Sequence, residues 1–261
     1  MSGQPARLAF TREVSVSLAR CELTHRTREP IDVDRARAQH VAYEAVLRSA
    51  GCEVRRLPPL PDRPDAVFVE DTAVVFDEVA VVTRPGAASR REEVRSVADT
   101  LASYRTLVAI EDPGTLDGGD VLLMERSVFV GLSTRTNEEG VRQLARALAP
   151  HGYAVHPLTV RSCLHLKTAA TRVAAATVLL NPEWVDARAF DAFERIEVEP
   201  GEAWAANALA VGESVVYAAA FPRTRERLVR RGLDVREVEV SELAKAEGGV
   251  TCCSLVLESR P

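Results

Sequence analysis

Five cysteines in 261 residues, with no C-x₂₋₄-C pair among them, are too few and too irregularly spaced for a disulfide framework. Cross-links are not expected, and the free thiols point to a reducing, cytoplasmic setting. Long apolar runs are lacking as well. The longest, TRVAAATVLL, starts beside a charge and stops at Asn181-Pro182, well short of the roughly 18 residues that span a bilayer. MSGQPARLAF, at the start, has no charged-then-apolar leader, so export is not expected. Nor is there a large excess of one charge: the net charge is -5 at pH 7. The basic stretches SRREEVR and RTRERLVRR are diluted by acids or set at helical spacing, as on solvated helix faces. Neither a membrane nor nucleic acid is an expected partner. What remains, 46% hydrophobic and 27% charged residues, describes an ordinary globular chain long enough for a sizeable core.

Internal repetition is the main large-scale feature. From Ala73 the chain reads strand, polar turn, strand, loop and helix, with apolar Val94, Val97 and Leu101 on one helix face. The same order returns from Val121 and from Ala208, where Gly232 ends the helix as a C-cap glycine would. A more blurred copy starts at Thr171. The leftover pieces, LAFTREV, a helix over 32–50, the strand CEVRRLPP and the C-terminal GGVTCCSLVL, make a fifth unit split between the termini. A split unit closes a ring. The reading is therefore an α/β protein in which five ββα-type repeats surround a central axis, forming one domain over 1–261. A sequential doubly wound sheet is the alternative, but tight turns between paired strands suit antiparallel hairpins better.

In such a ring, loops from distant parts of the chain converge at the axis. Polar clusters precede the units: Asp65, Glu70 and Asp71 in PDAVFVEDT, Asp117 and Asp120 in GTLDGGDVLL, His165 and Lys167 in CLHLKTAAT, and the thiol pair Cys252-Cys253. Each alone could be a turn or a cap. Together they supply a nucleophile, a histidine acid/base and carboxylates, the set needed to attack a cationic carbon. If the thiol stretch is a strand, its two cysteines face opposite ways, and Cys252 lies nearer the Gly248-Gly249 entrance. His165, between two leucines at an apparent strand start, is either catalytic or a satisfied core histidine. Zinc on Cys163, His165, Cys252 and Cys253 is a further reading, disfavoured because adjacent strand cysteines cannot easily chelate one ion. Arg84 and Arg135 fall at matching points of two repeats, where they could grip a carboxylate or form surface salt bridges.

These strings, with FVEDTAVV, TRPGAASRR, LDGGDVLL, GLSTRTNEEG, LHLKTAAT, AANALAV, FPRTRERL and GGVTCCSL in order along nearly the whole chain, resemble the dimethylargininases, or dimethylarginine dimethylaminohydrolases. That family lies in the guanidino-modifying, five-bladed pentein superfamily. The resemblance implies a hydrolase that releases citrulline and methylamines from methylated arginines, with Cys252 as nucleophile, His165 as general acid/base and Asp117 as its acidic partner. It also implies Asp65, Glu70 and Asp71 around the guanidinium, Arg84 and Arg135 around the carboxylate, and Leu23 and Ala246 in contact with substrate. Leu23 would sit in a lid, ARCELTHRTREP, that matches the family poorly. Some relatives have glutamate at the position of Asp117. No cofactor or metal is expected; the partner is a small molecule, and a homodimer is left open. An arginine deiminase or amidinotransferase, or a non-catalytic amino-acid-binding protein, could share the fold. The arginine pair argues against agmatine, and the histidine that deiminases carry just before their cysteine is missing.

Overall fold

Each of the five sequence units folds into its own three-stranded sheet in the structure, a computed structural model that describes residues 7–258. β1 (Arg7–Thr11) and β2 (Cys52–Arg56) run parallel, connected by α1 (Val33–Ser49), which Asp32 caps by accepting the Arg35 N–H. The second unit pairs β3 (Ala73–Val75) with β4 (Val79–Val82) as an antiparallel hairpin, and α2 (Val94–Leu101) then crosses to β5 (Thr106–Ala109), parallel to β4. The third repeats this with β6 (Val121–Met124), β7 (Ser127–Leu132), α3 (Glu138–Leu148) and β8 (Ala154–Thr159). In the fourth, the one-turn α4 (Leu166–Ala169) leads into β9 (Ala170–Ala174) and β10 (Thr177–Leu180), and only a 3-10 turn, Ala187–Phe190, precedes β11 (Glu194–Glu197). The missing helix explains why this copy is blurred in the sequence. The fifth comprises β12 (Ala208–Val211), β13 (Ser214–Ala218), α5 (Pro222–Arg230) and β14 (Asp234–Val238). After the short α6 (Ser241–Lys245), β15 (Leu255–Glu258) returns to pair antiparallel with β1, setting Leu8 opposite Leu257.

Every unit thus carries a third, parallel strand after its crossover, so that the four units with a crossover helix are ββαβ where the sequence suggested ββα-type repeats. The sheets are separate from one another, which removes the doubly wound alternative. Packing closes the circle. The five largest apolar clusters each fill the gap between two neighbouring sheets: Phe10, Ala80, Leu101 and Leu257 join the first to the second, while Tyr43, Val216, Val238 and Cys253 join the fifth back to the first. The molecule is a five-bladed α/β propeller.

The strand leading each sheet, β3, β6, β9, β12 or β15, lines an axial channel of about 510 Å³. The segments that feed these strands all reach one end of the axis: the 3-10 turns Val69–Thr72 and Gly118–Asp120, α4, the stretch ending at Asn207, and the turn at residues 250–253. Glu70, Lys167 and Thr251 appear in the channel wall, whereas Cys252, His165, Asp71 and Asp117 do not. Among the described residues no helix is long and apolar enough to cross a membrane. Residues 1–6, where most of the leader expectation falls, lie outside the described residues.

The fully buried Tyr43 ties α1 to the thiol turn: its hydroxyl donates to the Val250 carbonyl at 2.8 Å and meets Ser254 Oγ at 2.7 Å. Tyr43→Phe should cost about 1–2 kcal/mol by stranding these partners, and lower the Tm by roughly 2–4 °C. An unchanged melting temperature would show that the tether carries no stability.

Candidate active site

Cys252 and Cys253 sit in a turn that ends before β15 begins at Leu255, and are not strand residues as the sequence suggested. Within that turn the Cys252 N–H donates back to the Gly249 carbonyl at 3.3 Å. The two thiols still separate. Cys253 is 1% exposed, inside the cluster that holds Tyr43 and Leu47, while Cys252 is half-buried and lines a small cavity. The Gly249 N–H donates to Cys252 Sγ at 3.2 Å. A side chain at 249 would collide with the Asn207 amide, so this approach requires glycine. Burial pushes the Cys252 thiol up to about 12, and nearby Glu70 and Asp71 act in the same direction.

His165 is the residue that caps α4, in extended backbone just ahead of Leu166, and not the start of a strand. Asp120 fixes that turn by accepting the Leu166 N–H at 3.0 Å. The ring is clamped between carboxylates, with Nε2 3.1 Å from Asp117 Oδ2 and Nδ1 3.8 Å from Asp71 Oδ1. Gly119 lies against the ring; a Cβ there would come within 2.7 Å of Nδ1. Burial alone would lower the histidine pKa, but Asp71, Asp120 and Asp117 outweigh it and push it up to about 9. At neutral pH the site therefore holds an imidazolium and an un-ionised thiol.

The acidic loop supplies the rest. Asp71 accepts from Arg90 Nη1 at 2.5 Å and from the Gly119 N–H at 3.1 Å; despite its burial, His165 and Arg90 keep its pKa low. Glu70 accepts from Lys167 Nζ and from the Thr251 hydroxyl, both at 2.7 Å, and its own N–H donates to the Cys252 carbonyl. Asp65 accepts the Glu22 N–H, and burial raises its pKa to about 6. Arg135 is buried and donates to Thr24 Oγ1 at 3.3 Å. Leu23 is half-buried and Ala246 buried, both against the cluster around Tyr43. Arg84 is not brought in. Its guanidinium is engaged by Asp112 and by the Gly114 carbonyl, on a partly exposed edge.

A family model described as N,N dimethylarginine dimethylhydrolase, eukaryotic, matches residues 4–258. The chain belongs to this family. It is 40% identical over 254 residues, covering 97% of this chain and 98% of the other, to the N(G),N(G)-dimethylarginine dimethylaminohydrolase of Streptomyces coelicolor. The Pseudomonas aeruginosa protein of that name is 38% identical over 226 residues, 86% of this chain and 89% of the other. A solved Pseudomonas aeruginosa structure, a cysteine-to-serine mutant complexed with citrulline, superposes with a TM-score of 0.92 at 35% identity, covering 98% of this chain and all of that one.

As a member of the dimethylarginine dimethylaminohydrolases, the chain places several unforeseen groups in its site. Arg90 is buried on Asp71, Glu93 and the carbonyls of Asp65 and Phe68, because residues 88–93 wind into a 3-10 helix that the repeat pattern did not reveal. Asn207 fills the fifth loop, bonding the Lys167 carbonyl and both the N–H and hydroxyl of Thr251. Its string, AANALAV, was visible, but nothing in it marked the asparagine. The cysteine-based zinc set is not assembled: Cys163 is buried against Leu166 and Phe190, and Cys253 faces the core. Among the described residues, Asp71, Asp117 and His165 are the acid/histidine group whose ligand atoms all lie within 4.8 Å of one another. That group is occupied with Arg90, Gly119 and Gly86 donors, and its histidine is a cation at neutral pH.

The elevated histidine pKa has a stability consequence. A folded value near 9 against an ordinary 6.5 means that protonation stabilises the fold fully below pH 6.5, and that this contribution is lost as pH rises through 9. Wild-type protein should therefore lose more stability than His165→Gln between pH 6 and 9 in chemical denaturation. Parallel profiles would show that the carboxylates do not hold a proton on His165.

Proposed function

We propose that this protein hydrolyses the guanidinium C–N bond of Nω-methylated arginines, giving citrulline and mono- or dimethylamine through a covalent intermediate on Cys252, with the whole chain acting as one catalytic unit. The observation that carries this reading is the geometry of the buried carboxylates: Asp117 and Asp71 flank the His165 ring at 3.1 and 3.8 Å, and the Glu70 N–H donates to the Cys252 carbonyl, so the acidic loop touches both the histidine and the thiol turn, an arrangement suited to receive a cation.

A guanidinium carbon resists attack by water because resonance spreads its charge. Carboxylates of the Asp65, Glu70 and Asp71 loop draw the cation in and orient it. Its positive charge beside Cys252 offsets the burial that holds the thiol near 12, so the proton leaves for solvent and the thiolate adds to the guanidinium carbon. Asp117 holds His165 by Nε2, leaving Nδ1 to give its proton to the departing amine. Collapse of the tetrahedral adduct expels the amine and leaves a thiouronium on Cys252. Neutral His165 then takes a proton from water; the hydroxide adds to the same carbon, and the C–S bond breaks as the hydroxyl proton passes to the departing sulfur, releasing citrulline and restoring the thiol. Arg135, buried beneath Thr24, reads the α-carboxylate. Arg84 is committed to Asp112 and leaves that role to Arg135.

Citrulline release measured across arginine, monomethylarginine, both dimethylarginines and agmatine tests the reading. Methylated arginines should be turned over well and agmatine poorly. Cys252→Ser should abolish turnover while Cys253→Ser keeps most of it, and equal losses in both would remove the nucleophile assignment. Arg135→Ala should cost about 2 kcal/mol or more in kcat/KM for dimethylarginine, yet leave a methylguanidine fragment lacking the carboxylate nearly unaffected. Equal loss for both substrates would make Arg135 a support of the fold.

A further inference from the structure

We propose that Glu247 is the latch that holds the loop of residues 22–26 closed over Cys252, a positioning residue that takes no part in the chemistry. Three successive backbone N–H groups converge on its carboxylate: Thr24 donates to Oε2 at 3.0 Å, and His25 and Arg26 donate to Oε1 at 2.5 and 2.6 Å. Consecutive N–H groups aimed at one point form an anion-binding nest, and here the anion is a side chain more than 220 residues away in sequence.

The backbone of Glu247 argues that the carboxylate is what matters at this position. Its φ is +59°, in the left-handed region that favours glycine, and two glycines follow immediately. A glycine at 247 would relieve the backbone and lose nothing but the side chain. The strain is tolerated where the side chain grips the loop.

Other contacts seat the same loop. The Arg26 guanidinium stacks 4.4 Å from the Trp204 ring centroid, Arg135 donates to Thr24 Oγ1, the Glu22 N–H meets Asp65, and Ser89 Oγ donates to the Glu22 carboxylate. Arg26, Trp204, Glu247, Gly249 and Cys252 line one mostly apolar cavity of about 70 Å³, so the latched loop, through Arg26, shares a cavity with the thiol. Glu247 also lies two residues before Gly249, whose N–H touches Cys252 Sγ. Loop closure and placement of the nucleophile therefore share one short segment. Substrate must enter with the loop open and react with it closed, and Glu247 sets the balance between those states.

The test uses Glu247→Gly, which removes the latch and relaxes the backbone, with Glu247→Gln as the uncharged isostere. Trypsin cleavage after Arg26 or Arg28, identified by mass, should accelerate at least tenfold in Glu247→Gly and less in Glu247→Gln. KM for dimethylarginine should rise about tenfold in Glu247→Gly with kcat changed less, because the closed, binding-competent state is less populated. The KM arm rests on the substrate reading above; the protease arm does not, so failure of that reading leaves the latch still tested. Cleavage within twofold of wild type overturns the proposal. So does faster cleavage accompanied by a lower Tm and an unchanged KM, which would make Glu247 only a structural tie.

Discussion

Closure of the ring is the constraint on which the rest depends. β15 must come back to lie against β1, and it does so in a register that sets Leu8 on Leu257 and Phe10 on Leu255. With that pairing made, apolar clusters fill the gaps between neighbouring sheets all the way round, and each sheet is held by the two beside it. At roughly 25 cal/mol per Å² of apolar area buried, such contacts supply most of the cohesion of a fold whose sheets share no hydrogen-bonded edge. The segments feeding the leading strands are then forced to meet at one end of the axis. The site is a consequence of closure: residues 71, 117, 165 and 252, unremarkable along the chain, become neighbours.

What meets there is electrostatically lopsided. Asp71, Asp117 and Asp120 are almost wholly buried, and desolvating several carboxylates together is unfavourable unless positive charge accompanies them. Arg90, Lys167 and the imidazolium of His165 provide it. Burial keeps the Cys252 thiol protonated at rest, and the negative charges of Glu70 and Asp71 act in the same direction. On the proposed reading a cationic guest changes that balance, coupling ionisation of Cys252 to occupancy of the site.

The repeats, the split unit and the convergence of polar loops were legible in the sequence because hairpin turns and helix periodicity are local signals. The site was legible in part. Cys252 was separated from Cys253 by strand alternation, whereas the structure separates them by a glycine-dependent turn that alternation cannot describe. His165 read as a strand residue because leucines flank it, but Asp120 turns the chain into α4 there. Arg84 was chosen by aligning two repeats, and the 3-10 helix that follows it brings Arg90 inward in its place. Asn207 and Glu247 left no local mark, since their partners lie 44 and 223 residues away. Long-range polar contacts of this kind are set by ring closure and are invisible to periodicity.

The central claim is that Cys252 bonds covalently to the guanidinium carbon during turnover. Acid quenching of the protein during reaction with dimethylarginine, followed by peptide mass spectrometry, tests it most directly. The account predicts a mass increase equal to the substrate less its dimethylamine, located by fragmentation on Cys252 and absent from Cys253. Turnover with no adduct on Cys252, or with the adduct on Cys253, would contradict it.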